Sequence, residues 1–283
     1  MKKSVKKPAA KKTAAVKKTP VLNAWDIVQI ARHSERPLIT DYIKLMCSDF
    51  VELHGDRAFG DDKGMLGGFA TIGGERVMLI GQRKGATTEE KIAHNFGMAS
   101  PEGYRKALRL MKLAEKFGIP VVSLVDTPGA YPGADAEARG QAEAIARNLQ
   151  EMSVLKTPVV VVITGEGGSG GALGIAVGDC VMMLENSVYS VISPEGCASI
   201  LWRDGKMAPA AAEALQITAA SLKKLGIADV VIPEPKGGAH TDKPAAVETV
   251  KKAILAQIKE LKKLPLPELV ERRYAKFSAI GRF

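Results

Sequence analysis

Apolar residues recur at helical spacing in two stretches near the start of the chain. Trp25, Ile27, Val28 and Ile30 form one, which Asn23 can cap and which runs to about His33. Tyr42, Ile43, Met46 and Phe50 form the other, which Thr40 can cap and Gly55 can end. The pattern then changes. Residues 65 to 72 and 75 to 82 read as two strands joined at Gly73 and Gly74, a two-residue hairpin signal. A polar loop from Ala86 to Ala99 follows, long enough to be functional. Ser100, Pro101 and Glu102 open a helix with Leu108, Met111, Leu113 and Ala114 on its apolar side, and Gly118 stops it.

From there helix, buried strand and glycine turn alternate. Val121 to Val125 is a strand that runs into Asp126-Thr127-Pro128-Gly129-Ala130-Tyr131-Pro132-Gly133, and a helix is expected from about Ala136 to Leu155. The β-branched run Val159 to Thr164 suits a strand covered on both faces, and it breaks into Gly165, Glu166, Gly167, Gly168, Ser169, Gly170 and Gly171. Short strands at 181 to 184 and 188 to 192 follow, then a helix capped by Ser193, two short helices at about 208 to 216 and 218 to 225, and a strand at 227 to 232. Two amphipathic helices, about 243 to 263 and 266 to 279, close the chain. The alternation predicts parallel α/β layering in one domain, residues 21 to 283.

The glycine run is the chemical focus. Five glycines in seven positions let the backbone itself approach a ligand, and the start of the following helix presents N–H groups that have no partner within the helix. Such a junction is an anion or oxyanion site that needs no ionisable side chain. Three familiar patterns overlap it. A dinucleotide fingerprint is loosely met by Gly165, Gly167 and Gly170 with Glu185 beyond, but the eight residues from Gly171 to Gly178 are short for the crossover helix. GxSxG is met at Gly167 to Gly171, which keeps a hydrolase with Ser169 as nucleophile and Asp204 or Asp229 and His240 as partners among the alternatives. Asp126 to Gly129 resembles a GTPase turn, yet no phosphate-cradling GxxxxGK[ST] exists. Met111-Lys112 resembles a biotin-acceptor pair but falls inside a helix.

Charge and composition narrow the classes. Of the net charge of +9, eight units come from lysines within the first 20 residues, which hold no acid, so the remainder is near +1. That Lys-rich stretch, 1 to 20, is expected to be a disordered tail, a solubilising extension first and, as the alternative, a weak and salt-dependent binder of nucleic acid or an acidic partner. No apolar run reaches the roughly 18 residues of a membrane span and no signal peptide is evident, so a cytoplasmic protein is expected. Cys47, Cys180 and Cys197 contain no CxxC pair, and His33, His54, His94 and His240 are scattered, so no metal site is expected in this chain.

With these residues assembled, the chain resembles the α subunits of bacterial acetyl-CoA carboxylase carboxyltransferases, in the crotonase-fold superfamily. The likeness runs through HGDRAFGDD (54 to 62), NFGMASPEGYRKALRLM (95 to 111), DTPGAYPG (126 to 133), GEGGSGGAL (165 to 173), YSVISPEGCASILW (189 to 202) and IPEPKGGAH (232 to 240). The resemblance implies an α/β fold, a crotonase-like ββα spiral with flanking N- and C-terminal helices. It implies transfer of a carboxyl group from carboxybiotin, held on a biotin carboxyl carrier protein that a biotin carboxylase loads, to acetyl-CoA, giving malonyl-CoA. The assembly implied is α2β2, with zinc only in the β subunit and no cofactor bound covalently in this chain. The resemblance also implies site residues: Gly170 and Gly171 as the catalytic pair whose amides hold the ureido oxygen, with Gly167, Gly168 and Ser169 shaping the approach. Gly129, Ala130, Tyr131 and Gly133, together with Arg83, Lys84 and Gly85, become pocket walls. A self-sufficient acyl-CoA enzyme of crotonase type stays open beside the hydrolase. Relatives usually carry a helical segment ahead of the Trp25 region, where this chain has the lysine tail.

Overall fold

The computed structural model describes residues 22–281, so the Lys-rich stretch 1 to 20 lies outside the described residues. Helices α1 (Ala24–Ala31) and α2 (Ile39–Met46) lead into strand β1 (Cys47–Glu52), the hairpin β2 (Met65–Ile72) and β3 (Glu75–Gln82), α3 (Thr88–Ala93), α4 (Pro101–Phe117) and β4 (Val121–Thr127). Then come α5 (Ala134–Ala138), α6 (Gln141–Ser153), β5 (Val159–Gly168), the short helix α7 (Ser169–Leu173), β6 (Cys180–Leu184) and β7 (Val188–Ser190). The chain continues through α8 (Pro194–Trp202), α9 (Ala208–Ala214), α10 (Ala219–Lys224), β8 (Val230–Ile232), α11 (Lys243–Leu261) and α12 (Leu266–Ala279).

The strands form one sheet in the order β1-β2-β3-β4-β5-β6-β8, with β7 pairing the far end of β5. β1, β2 and β3 are antiparallel neighbours, and every pairing from β3 onward is parallel. Side-chain alternation on the central strands explains the β-branched runs. Val121, Val125, Val159, Val161 and Ile163 pack on one face with Leu110 and Met111 of α4 and Met152 of α6. Val122, Leu124, Val160 and Val162 pack on the other with Tyr42 of α2 and Val250 and Ile254 of α11. A strand sandwiched in this way has no polar face to show. Parallel strands carry their C-terminal ends to one edge, and that edge holds both glycine-rich turns.

Several sequence expectations are corrected. The second N-terminal helix starts at Ile39 and stops at Met46. Residues 47 to 52 form an edge strand pairing Cys47 with Ile72 and Glu52 with Gly68. Long-range pairing overrides the local helical spacing of Phe50, and Gly68 permits it, because a Cβ there would lie 2.1 Å from the carbonyl oxygen of Val51. The expected loop at 86 to 99 contains α3, capped by Thr87, and a 3₁₀ turn at Asn95–Gly97. The helix expected over 136 to 155 is two helices, broken at Gly140, whose φ is +85°. The glycine turn is shorter than its composition suggests. β5 runs through Gly168 because Glu166, Gly167 and Gly168 pair with Val188, Tyr189 and Ser190 of β7. The strands expected at 188 to 192 and 227 to 232 are shorter, Val188–Ser190 and Val230–Ile232. The hairpin at Gly73 and Gly74 falls where expected.

Candidate active site

The two glycine-rich turns lie against each other, backbone on backbone. A Cβ on Gly171 would sit 2.2 Å from the carbonyl carbon of Gly129 and 2.5 Å from the nitrogen of Ala130, and one on Gly168 would sit 2.1 Å from the carbonyl oxygen of Pro128. These glycines are required by contact. Gly170 and Gly129 differ. A Cβ on Gly170 meets only Ile145, at 3.5 Å, and one on Gly129 meets nothing within 4 Å, so open space adjoins the seam of the two turns.

Side chains pin α7 from behind. The Gly171 carbonyl accepts from Gln82 Nε2 at 3.1 Å and from the Tyr104 hydroxyl at 3.2 Å. Asn148 Nδ2 donates to the Gly174 carbonyl at 2.8 Å and to the Tyr104 carbonyl at 3.0 Å. The Gly170 carbonyl accepts the Gly174 N–H at 3.0 Å, which fixes the peptide plane that carries the Gly171 N–H. In the first turn of a helix that N–H and its neighbour have no intrahelical acceptor. Fixed donors with no partner within their own helix suit a developing negative charge.

At the root of both turns lies a charge network. Lys84 Nζ meets Asp126 Oδ1 at 2.7 Å and Glu166 Oε2 at 3.4 Å, and Glu166 Oε1 accepts from Arg32 Nε at 2.6 Å. Asp126 Oδ1 also accepts the Glu166 N–H at 2.9 Å, tying the end of β4 to the glycine run, and Arg32 continues to Glu195 in the first turn of α8. Burial works against the charge on Lys84, but Asp126 and Glu166 outweigh it and hold its pKa above the ordinary lysine value.

Beside α7 lie two adjoining cavities, both lined by Ser169, Ser190, Val191 and Ile217. The larger, about 280 Å³, is apolar, with Leu173, Tyr189, Leu215, Leu222 and Ile227 in its walls. The smaller, about 40 Å³, reaches Arg32, Glu166, Gly167 and Gly168. Burial pushes the Tyr189 phenol up to about 12, so it stays protonated at neutral pH. No histidine lines either cavity. His240 stacks on His33 at 3.8 Å between ring centroids, and burial lowers its pKa.

The structure therefore brings together Gly167, Gly168, Ser169, Gly170 and Gly171 with Gly129 and Ala130. Tyr131 is tied in through its N–H, which donates to the Ala99 carbonyl at 3.1 Å, and Gly133 packs against the Tyr131 ring. Of the expected site residues only Gly167, Gly168 and Ser169 line either cavity; Gly129, Ala130, Tyr131, Gly133, Gly170, Gly171 and the three residues at 83 to 85 do not. Lys84 is spent in the ion network, the Arg83 N–H donates to Gly64, and Gly85, at φ +92°, packs on Glu90 and Lys91. Sequence reading gives no role to Gln82, Tyr104, Asn148, Arg32 and Glu195, because their partners lie far along the chain. Among the described residues no group of three or more side chains could hold a metal ion, and no helix is long and apolar enough to cross a membrane.

Comparison with known proteins gives this geometry its family. The profile described as "Acetyl co-enzyme A carboxylase carboxyltransferase-like" matches residues 1–281. Acetyl-coenzyme A carboxylase carboxyl transferase subunit alpha of Geobacter sulfurreducens is 59% identical over 262 residues, covering 93% of this chain and 82% of that protein. The protein of the same name from Hydrogenovibrio crunogenus is 60% identical over the same shares. Among solved structures, transcarboxylase 12S superposes with a TM-score of 0.67 at 22% identity, covering 86% of this chain and 45% of that chain, so this chain spans less than half of its length. The beta subunit of P. aeruginosa geranyl-CoA carboxylase gives a TM-score of 0.62 at 17% identity, covering 90% and 48%. These neighbours share the crotonase-like α/β fold. By profile and by sequence identity over most of its length, the chain belongs to the acetyl-CoA carboxylase carboxyltransferase family, among its α subunits.

Proposed function

We propose that this chain supplies one half of a carboxyltransferase site, which moves a carboxyl group from carboxybiotin on a carrier protein to acetyl-CoA and yields malonyl-CoA. The observation that carries this reading is the seating of Gly171 on the Gly129-Ala130 backbone, with space left open over Gly129. In that space the amides of Gly170 and Gly171 hold the ureido oxygen. As the N–C bond of the donor breaks, the electron pair stays on the ureido group, and each aimed amide stabilises it by about 3 kcal/mol. The freed ureido nitrogen takes a proton from the acetyl methyl group, and that carbon forms the new C–C bond with CO2. No protein base is needed, in keeping with cavities that no histidine lines.

The acetyl-CoA side belongs to a zinc-ribbon β subunit in an α2β2 assembly, with the carrier protein and a biotin carboxylase as further partners in the cytoplasm. Exposed apolar side chains support a partner at this edge. Val191, which lines both cavities, is 75% exposed, and Ile200 and Leu201 of the following helix α8 are 71% and 66% exposed. The test is biotin-dependent decarboxylation of malonyl-CoA, the reverse transfer, by this chain alone and mixed with its β subunit. Activity is expected only in the mixture; turnover by the chain alone would overturn the divided site.

A further inference from the structure

In the run from Gly165 to Gly171 none of the five glycines has a positive φ. The residue that does is Ser169, at +45°. The left-handed region is one that glycine enters freely and that a Cβ disfavours. The chain thus keeps a side chain at the one position in the run where glycine would be the relaxed choice. Strain of this kind persists where the surroundings or the function require it.

Local bonding gives no structural reason for it. The Ser190 hydroxyl donates to the Ile192 carbonyl at 2.8 Å, and the Ser193 hydroxyl accepts the Gly196 N–H at 3.1 Å. The Ser169 hydroxyl makes no hydrogen bond among the described residues, and Ser169 lines both cavities. It immediately precedes the Gly170 amide. A nucleophilic role would need a base, and no histidine lines either cavity.

We propose that Ser169 is a substrate-contacting residue whose hydroxyl donates a hydrogen bond to the carboxylate of the N-carboxylated cyclic urea, while the Gly170 and Gly171 amides hold the ureido oxygen. This rests on the carboxyltransferase reading above and adds a side-chain donor to a site otherwise built from backbone. The donor tells the carboxylated urea from the uncarboxylated one, since only the former carries the anion that accepts it.

The test uses the full chain assembled with its β subunit and compares Ser169→Gly and Ser169→Ala with the parent in the forward reaction, with carboxylated biotin as donor. A hydrogen bond to a charged group corresponds to a roughly tenfold to hundredfold effect, so kcat/KM for the carboxyl donor should fall by that factor in both variants. KM for acetyl-CoA should not move. The unfolding midpoint of Ser169→Gly should hold or rise, because glycine relieves the backbone at φ +45°. Full activity in Ser169→Gly, or a lowered midpoint that accompanies the loss, would overturn the inference. Gly170→Val in the same assembly separates the two ideas. If that variant is inactive while Ser169→Gly is fully active, the serine inference alone fails; if Gly170→Val is as active as the parent, the carboxyltransferase reading of the glycine turn fails with it.

Discussion

The 54–62 loop and the 165–171 run make opposite use of polar groups. The loop carries five ionisable side chains, His54, Asp56, Arg57, Asp61 and Asp62, and the run carries one, Glu166. Charge alone would make the loop the site. Yet its carboxylates are consumed internally. Asp56 accepts the N–H groups of Ala58, Phe59 and Gly60 and pairs with Arg105, and Asp61 pairs with the buried Lys106. Asp62 accepts from the Gly64 and Ser100 N–H groups, holding the start of α4 against the sheet. In the glycine run the Gly170 and Gly171 carbonyls are pinned, while the first-turn amides have no partner within the helix, and Ser169 beside them lines both cavities. Unmet hydrogen-bonding capacity distinguishes the candidate site, and satisfied charge distinguishes the scaffold.

The sharpest way to break this contrast is to add atoms at the seam. Gly171→Ala places a Cβ 2.2 Å from the Gly129 backbone, where no flexible side chain can give way. Overpacking of this kind costs about 1–3 kcal/mol or more. A lowered denaturation midpoint together with lost transfer activity is the expected result.

Next in size is the network at the root of the turns. Lys84→Met leaves Asp126 and Glu166 facing each other with one cation fewer, and removing one partner of a buried pair costs about 3 kcal/mol. Adding Asp126→Asn removes the excess charge while retaining an oxygen for the Glu166 N–H, so the double variant should recover most of that stability in urea unfolding. A double variant weaker than Lys84→Met would show that charge balance is not what Lys84 provides.

Smaller again is the effect of loosening the loop. Burial pushes the Asp56 carboxyl up, but three N–H groups and Arg105 prevail and bring it to about 2, against 3.8 when unfolded. That depression corresponds to about 2 kcal/mol of stability at neutral pH. Because the folded pKa lies below the unfolded one, the contribution is complete above pH 3.8 and is lost as pH falls toward 2. Asp56→Asn should therefore lower the unfolding free energy at pH 7 and flatten the acid limb of the stability profile, with specific activity of the folded enzyme retained. The smallest effect belongs to the tail. Deleting residues 1 to 20 should leave carboxyl transfer unchanged and abolish any salt-dependent binding to DNA in a retardation assay.

Much of the fold is legible along the chain, for reasons that are local. The Gly73-Gly74 hairpin, the helix from Pro101 to Gly118 and the unbroken β-branched strands each carry their own signal. What fails to show is set by distant partners. Residues 47 to 52 become a strand because β2 is there to receive them, and β5 continues into Gly167 and Gly168 because β7 pairs with it. The resemblance names Gly170 and Gly171 as a pair, but not the difference within it. Gly171 is bound to glycine by the Gly129 backbone, whereas Gly170 has room for a side chain. The resemblance makes Lys84 a pocket wall, and in the fold it is an internal counter-ion.

That difference supplies the most direct measurement. In Gly170→Val the added Cβ makes only ordinary contact with Ile145, at 3.5 Å, so the fold should survive. In the assembled enzyme the branched side chain should keep the ureido oxygen from the amides, and forfeiting one aimed donor corresponds to about a hundredfold to a thousandfold decrease in turnover. Backbone-amide stabilisation at this turn predicts such a decrease in malonyl-CoA decarboxylation with an unfolding midpoint close to that of the parent. Parental turnover from a correctly folded Gly170→Val assembly would contradict it.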